Sequence, residues 1–206
     1  MDQSGITEEQ IQHAASVIQN GGLVAFPTET YYGLGADPFN EDALQQLFRV
    51  KQRSALKPVL VLIGSTDQLA MLTSSVPETA RRLMDRFWPG PLTMVLPARP
   101  ELSSILTGNT STVGVRLSPH PVAAAILQAC GTPLTATSAN KSGDDAAVSA
   151  AEVRAIFGNE VDLVVDGGKT PGRLGSTLIG FQKGQVQCIR EGCIPFQDIL
   201  NAIQHD

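Results

Sequence analysis

Cysteine, histidine and long apolar stretches are scarce in this chain, and each scarcity removes a class of function. Among 206 residues there are three cysteines, Cys130, Cys188 and Cys193, odd in number and without CxxC spacing. They give neither a disulfide framework nor a zinc site and read as thiols of a reducing compartment. The three histidines, His13, His120 and His205, are scattered along the sequence and suggest no metal site, so no protein-held metal is expected. No apolar run approaches the roughly 20 residues needed to cross a bilayer. Met1-Asp2-Gln3-Ser4-Gly5 lacks the basic-then-apolar pattern of a secretory signal. A cytoplasmic location without a membrane partner is the expectation.

Positive charge is also in short supply. Fifteen Lys and Arg face 20 Asp and Glu, for a net charge of −5. That balance argues against a broad basic surface for nucleic acid, although it allows a small cationic pocket within an acidic protein. The usual phosphate loops are missing. Gly168-Lys169-Thr170 looks like the end of GxxxxGK[ST], but Leu163 stands where the first glycine belongs, and no GxGxxG occurs. Nor is there a Ser/His/Asp or Cys/His set for nucleophilic catalysis, or an acidic pair for acid–base work. An enzyme built on this chain relies on cationic positioning and electrostatic stabilisation, as nucleotidyl transfer does.

What is present describes a globular protein. Hydrophobic residues make up 42% and charged residues 17%, with 19 glycines and 13 prolines punctuating many short elements. Thr7-Glu8-Glu9-Gln10 is a capping box ahead of helical spacing at Ile11, Ala14, Ala15 and Ile18. Leu23 to Phe26 reads as a buried strand, Asn40 as the cap of a helix through Phe48, and Pro58 to Ile63 as a second strand. Helices follow at Thr66 to Leu72 and from Pro77 to Phe87, then a sharp break at Trp88-Pro89-Gly90-Pro91. Further strands are predicted at Met94 to Leu96, Thr112 to Arg116, Pro133 to Ala136, Val161 to Val165, Ser176 to Phe181 and Gln185 to Ile189. Helices are predicted at Pro121 to Cys130, after the capping box Ser149-Ala150-Ala151-Glu152, and from Pro195 to Ile203. This alternation implies one α/β domain over residues 1–206 with a twisted, mixed open sheet.

The segment Phe26 to Gly35, followed by Lys51-Gln52-Arg53-Ser54-Ala55-Leu56-Lys57-Pro58, carries the densest functional signal. A strand runs out into hydroxyls and glycines, then three cations fall within seven residues, a way to hold an anionic small molecule. Lys51 also suits a helix C-terminus for electrostatic reasons alone. Thr28 and Thr30 follow one strand, Ser138 and Asn140 another, and ligands in open α/β sheets bind beyond the carboxyl ends of strands. Ser138-Ala139-Asn140 is equally good turn chemistry. Arg116 closes an apolar strand, where an unpaired guanidinium is costly, so a carboxylate or phosphate partner is required. Arg190 closes another, with Glu191 beside it as a candidate partner.

Together these residues resemble a known family. Pro27-Thr28-Glu29-Thr30-x-Tyr32-Gly33-Leu34, Lys51-x-Arg53, Trp88-Pro89-Gly90-Pro91-Leu92-Thr93, Val115-Arg116, Ser138-Ala139-Asn140 and Ser176-Thr177 follow the order and rough spacing of the YrdC-type threonylcarbamoyl-AMP synthases. The resemblance runs from about Ile11 to Arg190 and implies a YrdC-like α/β fold around a positively charged cavity. It implies a nucleotidyltransferase joining L-threonine, bicarbonate and ATP, with Mg2+ accompanying the nucleotide, into threonylcarbamoyl-AMP and pyrophosphate. Downstream tRNA-modifying proteins would take the product. By position, Thr28, Arg116 and Ser176 would contact threonine. Lys51 and Arg53 would hold the phosphates as the catalytic cations, and Thr112, Ser138, Asn140 and Arg190 would line the nucleotide site. The loop Gly143-Asp144-Asp145-Ala146-Ala147-Val148-Ser149 departs from the Pro- and Ser-containing loop of relatives, and no contact transfers to it. With its last residue at Asp206, the chain resembles the short single-domain form. Two other readings compete: a non-catalytic RNA- or nucleotide-binding module of the same superfamily, and a carbamoyl-transfer domain like that embedded in hydrogenase-maturation proteins.

Overall fold

The apolar run after Gly22 forms a strand, Val24–Pro27 (β1), buried along its whole length. Successive strand residues point to opposite faces, and β1 uses both. Leu23 and Ala25 join the larger core, whereas Val24 and Phe26 join a second core with Ile11, Ala14, Ala15 and Ile18. Those four lie on α1 (Glu8–Gln19), which starts in the predicted capping box: Thr7 Oγ1 accepts from Gln10 N, and Gln10 Oε1 from Thr7 N. The computed structural model describes residues 5–54, 57–182 and 184–204. Met1 to Ser4, Ala55, Leu56 and His205, which enter the sequence reading, lie outside the described residues.

The chain returns as β2 (Tyr32–Gly35), antiparallel to β1 with Pro27 opposite Tyr32. Sequence composition makes this stretch look like loop, but only Thr28 to Tyr31 form the turn. Gly35 is required by packing: a Cβ there would lie 2.5 Å from Phe26 Cε1 on the facing strand. Helix α2 (Glu41–Lys51) follows, with Asn40 Oδ1 accepting from Ala43 N as predicted. Next come β3 (Leu60–Ile63), a 3-10 turn with α3 (Leu69–Leu72), α4 (Glu78–Phe87) and β4 (Leu92–Pro97). A short helix, α5 (Ser104–Thr107), was not visible as periodicity because it is a single turn. Strand β5 (Thr112–Leu117) and α6 (Pro121–Cys130) complete this half. The remainder is β6 (Leu134–Thr135), β7 (Thr137–Ser138), α7 (Ala150–Phe157), β8 (Leu163–Val164), β9 (Thr177–Gln182), β10 (Gln185–Arg190) and α8 (Phe196–Gln204).

The α/β class and the mixed strand directions agree with expectation, but there are two open sheets instead of one. One has the order β7-β2-β1-β8 and the other β10-β9-β4-β5-β3-β6. The segment Leu134 to Ser138 divides between them, with β6 pairing with β3 and β7 with β2. Thr135 pins this crossing. Its fully buried hydroxyl accepts from Ala36 N at 2.8 Å and donates to Leu34 O at 3.3 Å. The Trp88-Pro89-Gly90-Pro91 break has a comparable job. Trp88 Nε1 donates to Leu92 O at 2.7 Å and Gly90 N to Leu117 O at 2.9 Å, tying the start of β4 to the end of β5. Among the described residues no helix is long and apolar enough to cross a membrane.

Replacing Thr135 by Val keeps its shape and strands the buried Ala36 N–H without an acceptor. The expected loss is about 1–3 kcal/mol of stability, read from urea denaturation as a lower midpoint with an unchanged slope.

Candidate active site

A cavity of about 550 Å³ is lined by residues of both sheets, a volume typical of small-molecule sites. Thr28 and Thr30 beyond β1, and Ser138 and Asn140 at and just after the end of β7, meet in it as expected, but it also extends over a sheet face. Its floor is a face of the six-stranded sheet. On β5, Thr112, Gly114 and Arg116 face the cavity, while Val113 and Val115 between them are buried in the core. Thr93 and Val95 of β4, Ser176, and Leu178 of β9 continue the floor, again alternating with core residues Met94 and Ile179. The opposite wall comes from the β1–β2 turn and from Thr137, Ser138 and Asn140.

Thr28, Arg53, Thr112, Arg116, Ser138, Asn140, Ser176 and Arg190, all predicted from sequence, line this one space. Lys51 does not. Its side chain is buried behind the wall, where Nζ donates to Ser138 O, to Asn140 O at 2.9 Å and to Asn140 Oδ1 at 3.3 Å. A buried ammonium needs such oxygens, and here they belong to the Ser-Ala-Asn element. Asn140 passes the constraint on, with Nδ2 donating to Asp144 O at 2.8 Å. Lys51 thus shapes the wall and the loop bearing Asp144 and Asp145, both of which face the cavity. Gln52 adopts a left-handed conformation (φ 52°) as the helix ends. Beyond this turn, Arg53 reaches the cavity, its Nη2 donating to Pro58 O at 2.9 Å.

Burial, with a smaller contribution from Arg53, pushes the Lys51 ammonium down to about 7. Burial likewise lowers Arg53. Arg116 is lowered chiefly by burial, with Glu29 acting in the opposite direction and Arg190 reinforcing the fall. Arg116 has the carboxylate partner that its position demanded: Nε lies 3.2 Å from Glu29 Oε1. Arg190 differs from expectation. Its Nη2 donates to Ser176 O at 2.9 Å, and no ion pair with Glu191 occurs among those of the described residues.

Several hydroxyls of the site are already committed to one another. Thr28 Oγ1 donates to Tyr31 O at 2.7 Å and accepts from Thr30 N at 3.3 Å, which fixes the turn. Ser138 Oγ donates to Asn140 Oδ1 at 2.6 Å, and Ser176 Oγ is hydrogen-bonded to Thr93 Oγ1 at 2.8 Å. Thr177 is structural: its hydroxyl donates to Ile194 O and accepts from Gly192 N and Ile194 N, clasping the segment after β10 onto the start of β9. Sequence reasoning missed Arg173, Thr93 and Gly114, which all line the cavity. A mid-strand glycine was the available signal, since such glycines mark close approach of a ligand. A Cβ on Gly114 would meet only Thr93 Cγ2 at 3.5 Å and Leu60 Cδ1 at 4.0 Å, so the protein itself does not require glycine here. Four arginines (Arg53, Arg116, Arg173, Arg190) and three carboxylates (Asp144, Asp145, Glu191) share the lining. Among the described residues no group of three or more His, Cys, Asp or Glu is arranged to hold a metal ion.

The family described as "Telomere recombination" (Sua5/YciO/YrdC) matches residues 16–192. The chain belongs to this family. It is 39% identical to the threonylcarbamoyl-AMP synthase of Pyrococcus abyssi over 198 residues, 96% of this chain and 58% of that protein. It is 40% identical to the threonylcarbamoyl-AMP synthase of Vibrio cholerae over 186 residues, 89% of this chain and 98% of that one. The structure of P. abyssi Sua5 complexed with L-threonine superposes with a TM-score of 0.93 at 39% identity, covering 97% of this chain and 58% of its own. The chain therefore spans 58% of the length of its Pyrococcus abyssi and Bacillus subtilis relatives. The structure of E. coli YciO matches with a TM-score of 0.85 at 25% identity, covering 95% of each chain.

Two outcomes follow for this family member. Gly114→Ala is expected to be as stable as the parent or more stable by up to about 1 kcal/mol in urea denaturation, because its Cβ meets only ordinary contacts on the cavity floor. For Lys51, a folded-state value of about 7 against the ordinary 10.5 means that the unfolded chain holds more protons between those limits. Stability conferred by this group rises as pH increases through that window. Denaturation at about pH 7 and pH 10 should show the parent gaining on Lys51→Met as pH rises.

Proposed function

We propose that the chain is a threonylcarbamoyl-AMP synthase, converting L-threonine, bicarbonate and ATP into threonylcarbamoyl-AMP and pyrophosphate. The observation that carries the reading is the cavity: family residues from six separate segments converge on it, with Arg116 and Arg53 both supplied to one space. The relatives of that activity at 38–43% identity support it, as does the L-threonine complex of P. abyssi Sua5.

In this reading Arg116 takes the threonine carboxylate, for which a guanidinium offers a two-pronged match. Thr28 and Ser176 border the amino acid. Arg53 faces the phosphates, while Thr112, Ser138, Asn140 and Arg190 border the nucleotide. Threonine's amine, as the free base, takes up the carbon of bicarbonate to form a carbamate with loss of water. A carbamate oxygen then attacks the α-phosphorus, the new P–O bond forms, and the bond to the β-phosphate breaks to release pyrophosphate. Both reactants are anionic, so the arginines offset their repulsion as they approach. Lys51 contributes by holding the wall formed by Ser138 and Asn140, and its substitution disturbs the nucleotide side of the site. Magnesium enters with ATP as part of the substrate, which needs few protein ligands; Asp144 and Asp145 are carboxylates of the cavity lining. A cytoplasmic location and transfer of the product to tRNA-modifying proteins belong to the same reading.

The test is mass-spectrometric detection of adenylate product from the purified protein with ATP, magnesium and bicarbonate, with and without L-threonine. A threonylcarbamoyl-AMP peak that requires threonine and bicarbonate, and is lost in folded Arg116→Ala, is the expected result. No product from protein that still binds ATP would overturn the activity. An undiminished peak in Arg116→Ala would overturn the site assignment.

A further inference from the structure

Glu29 lies in the turn between β1 and β2, yet it does not line the cavity; it stands behind Arg116, which does. Its carboxylate is bracketed on both oxygens. Oε1 lies 3.2 Å from Arg116 Nε, and Oε2 accepts a hydrogen bond from Ser118 Oγ, just beyond the end of β5. The pair is shielded from water, with side-chain exposures of 4% for Arg116 and 13% for Glu29. Neither Arg116 Nε nor Glu29 Oε1 has a hydrogen-bonding partner, so their attraction is the close Coulombic contact of two buried charges, strong in a low-dielectric setting. A guanidinium can present a carboxylate with either its Nε edge or its terminal Nη1/Nη2 edge. With Nε the nitrogen held against Glu29, the terminal nitrogens are what remain for a ligand.

We propose that Glu29, anchored by Ser118, is the positioning residue that fixes Arg116 so that its terminal nitrogens meet the amino-acid carboxylate. The inference rests on the proposed threonine site. It makes a prediction opposite in sign to simple charge counting. Arg190 acts electrostatically on the same guanidinium, so removing the Glu29 charge leaves a more positive pocket. Counting charges alone, an anionic carboxylate would bind more tightly. If orientation is what Glu29 supplies, the amino acid binds more weakly despite the added positive potential, because a misplaced bidentate partner loses more than the field gains.

The experiment compares Glu29→Gln and Ser118→Ala with the parent by calorimetric titration of L-threonine and, separately, of ATP, alongside the threonine dependence of product formation. The expected result for Glu29→Gln is a threonine half-saturation raised by about 10- to 100-fold, with ATP affinity within about two-fold of the parent. Ser118→Ala should show the same selective loss to a smaller degree. Unchanged or tighter threonine binding in folded Glu29→Gln overturns the proposal, as does a parallel loss of threonine and ATP binding, which marks a merely structural role. Should Glu29→Gln fail to fold, Ser118→Ala decides, and its indifference to threonine overturns the proposal. Parent protein that binds ATP but no threonine defeats the underlying function instead, and is recognised before any variant is made.

Discussion

A buried ammonium that has lost its water must be given oxygens, and this constraint at Lys51 organises one whole side of the cavity. The helix α2 delivers the cation inward at its last turn. The Ser138-Ala139-Asn140 element supplies two main-chain carbonyls and an amide oxygen to meet it. Because Asn140 also donates onward to Asp144 O, the position of the acidic loop depends on the same contact. The crossing between sheets feeds directly into this element, so sheet connectivity and charge burial fix each other. A single cation thereby ties a helix end, a strand switch and a loop together.

The opposite side follows the same physics with a different solution. Arg116 is buried on a strand and is met by a carboxylate, not by carbonyls. An ammonium is a compact charge that carbonyl oxygens can surround, while a planar guanidinium presents distinct edges that can be divided between protein and ligand. One cation is thus wholly consumed by the fold, and the other keeps an edge turned to the cavity. That difference separates a residue that builds the pocket from one that lines it, although both stand in motif segments of similar appearance.

Much of this was legible in the sequence, and the shortfalls have physical causes. Capping signals at Thr7, Asn40 and Ser149, and the proline at the start of α6, placed helices almost to the residue because the caps rest on local hydrogen bonds and the proline on its own fixed backbone angle. The cavity's polar residues were also legible, Arg116 because a guanidinium on an apolar strand demands a partner and the hydroxyls chiefly through the family motifs, since Ser-Ala-Asn alone reads equally well as a turn. Strand β2 was hidden by its two glycines, which composition alone reports as loop, although the facing Phe26 ring requires one of them, Gly35. The division into two sheets was hidden because Leu134 to Ser138 reads as one strand and only its partners reveal the switch. Lys51 was assigned to the phosphates together with Arg53 through the Lys51-x-Arg53 motif, but one left-handed residue between them sends the two side chains to different places. Glu29 carried no separate signal, because its partner lies 87 positions away (Arg116) and only folding brings them together.

The floor of the cavity is a sheet face, and this gives β4, β5 and β9 an unusual degree of modularity. Odd and even positions along each strand do different work, since one set fills the core and the other lines the cavity. Drift at Thr93, Val95, Gly114 or Leu178 can redraw the contour of the binding floor while the packing set at Met94, Val113, Val115 and Ile179 stays intact. Point changes on the lining set can therefore reshape the cavity while the scaffold beneath it keeps its packing.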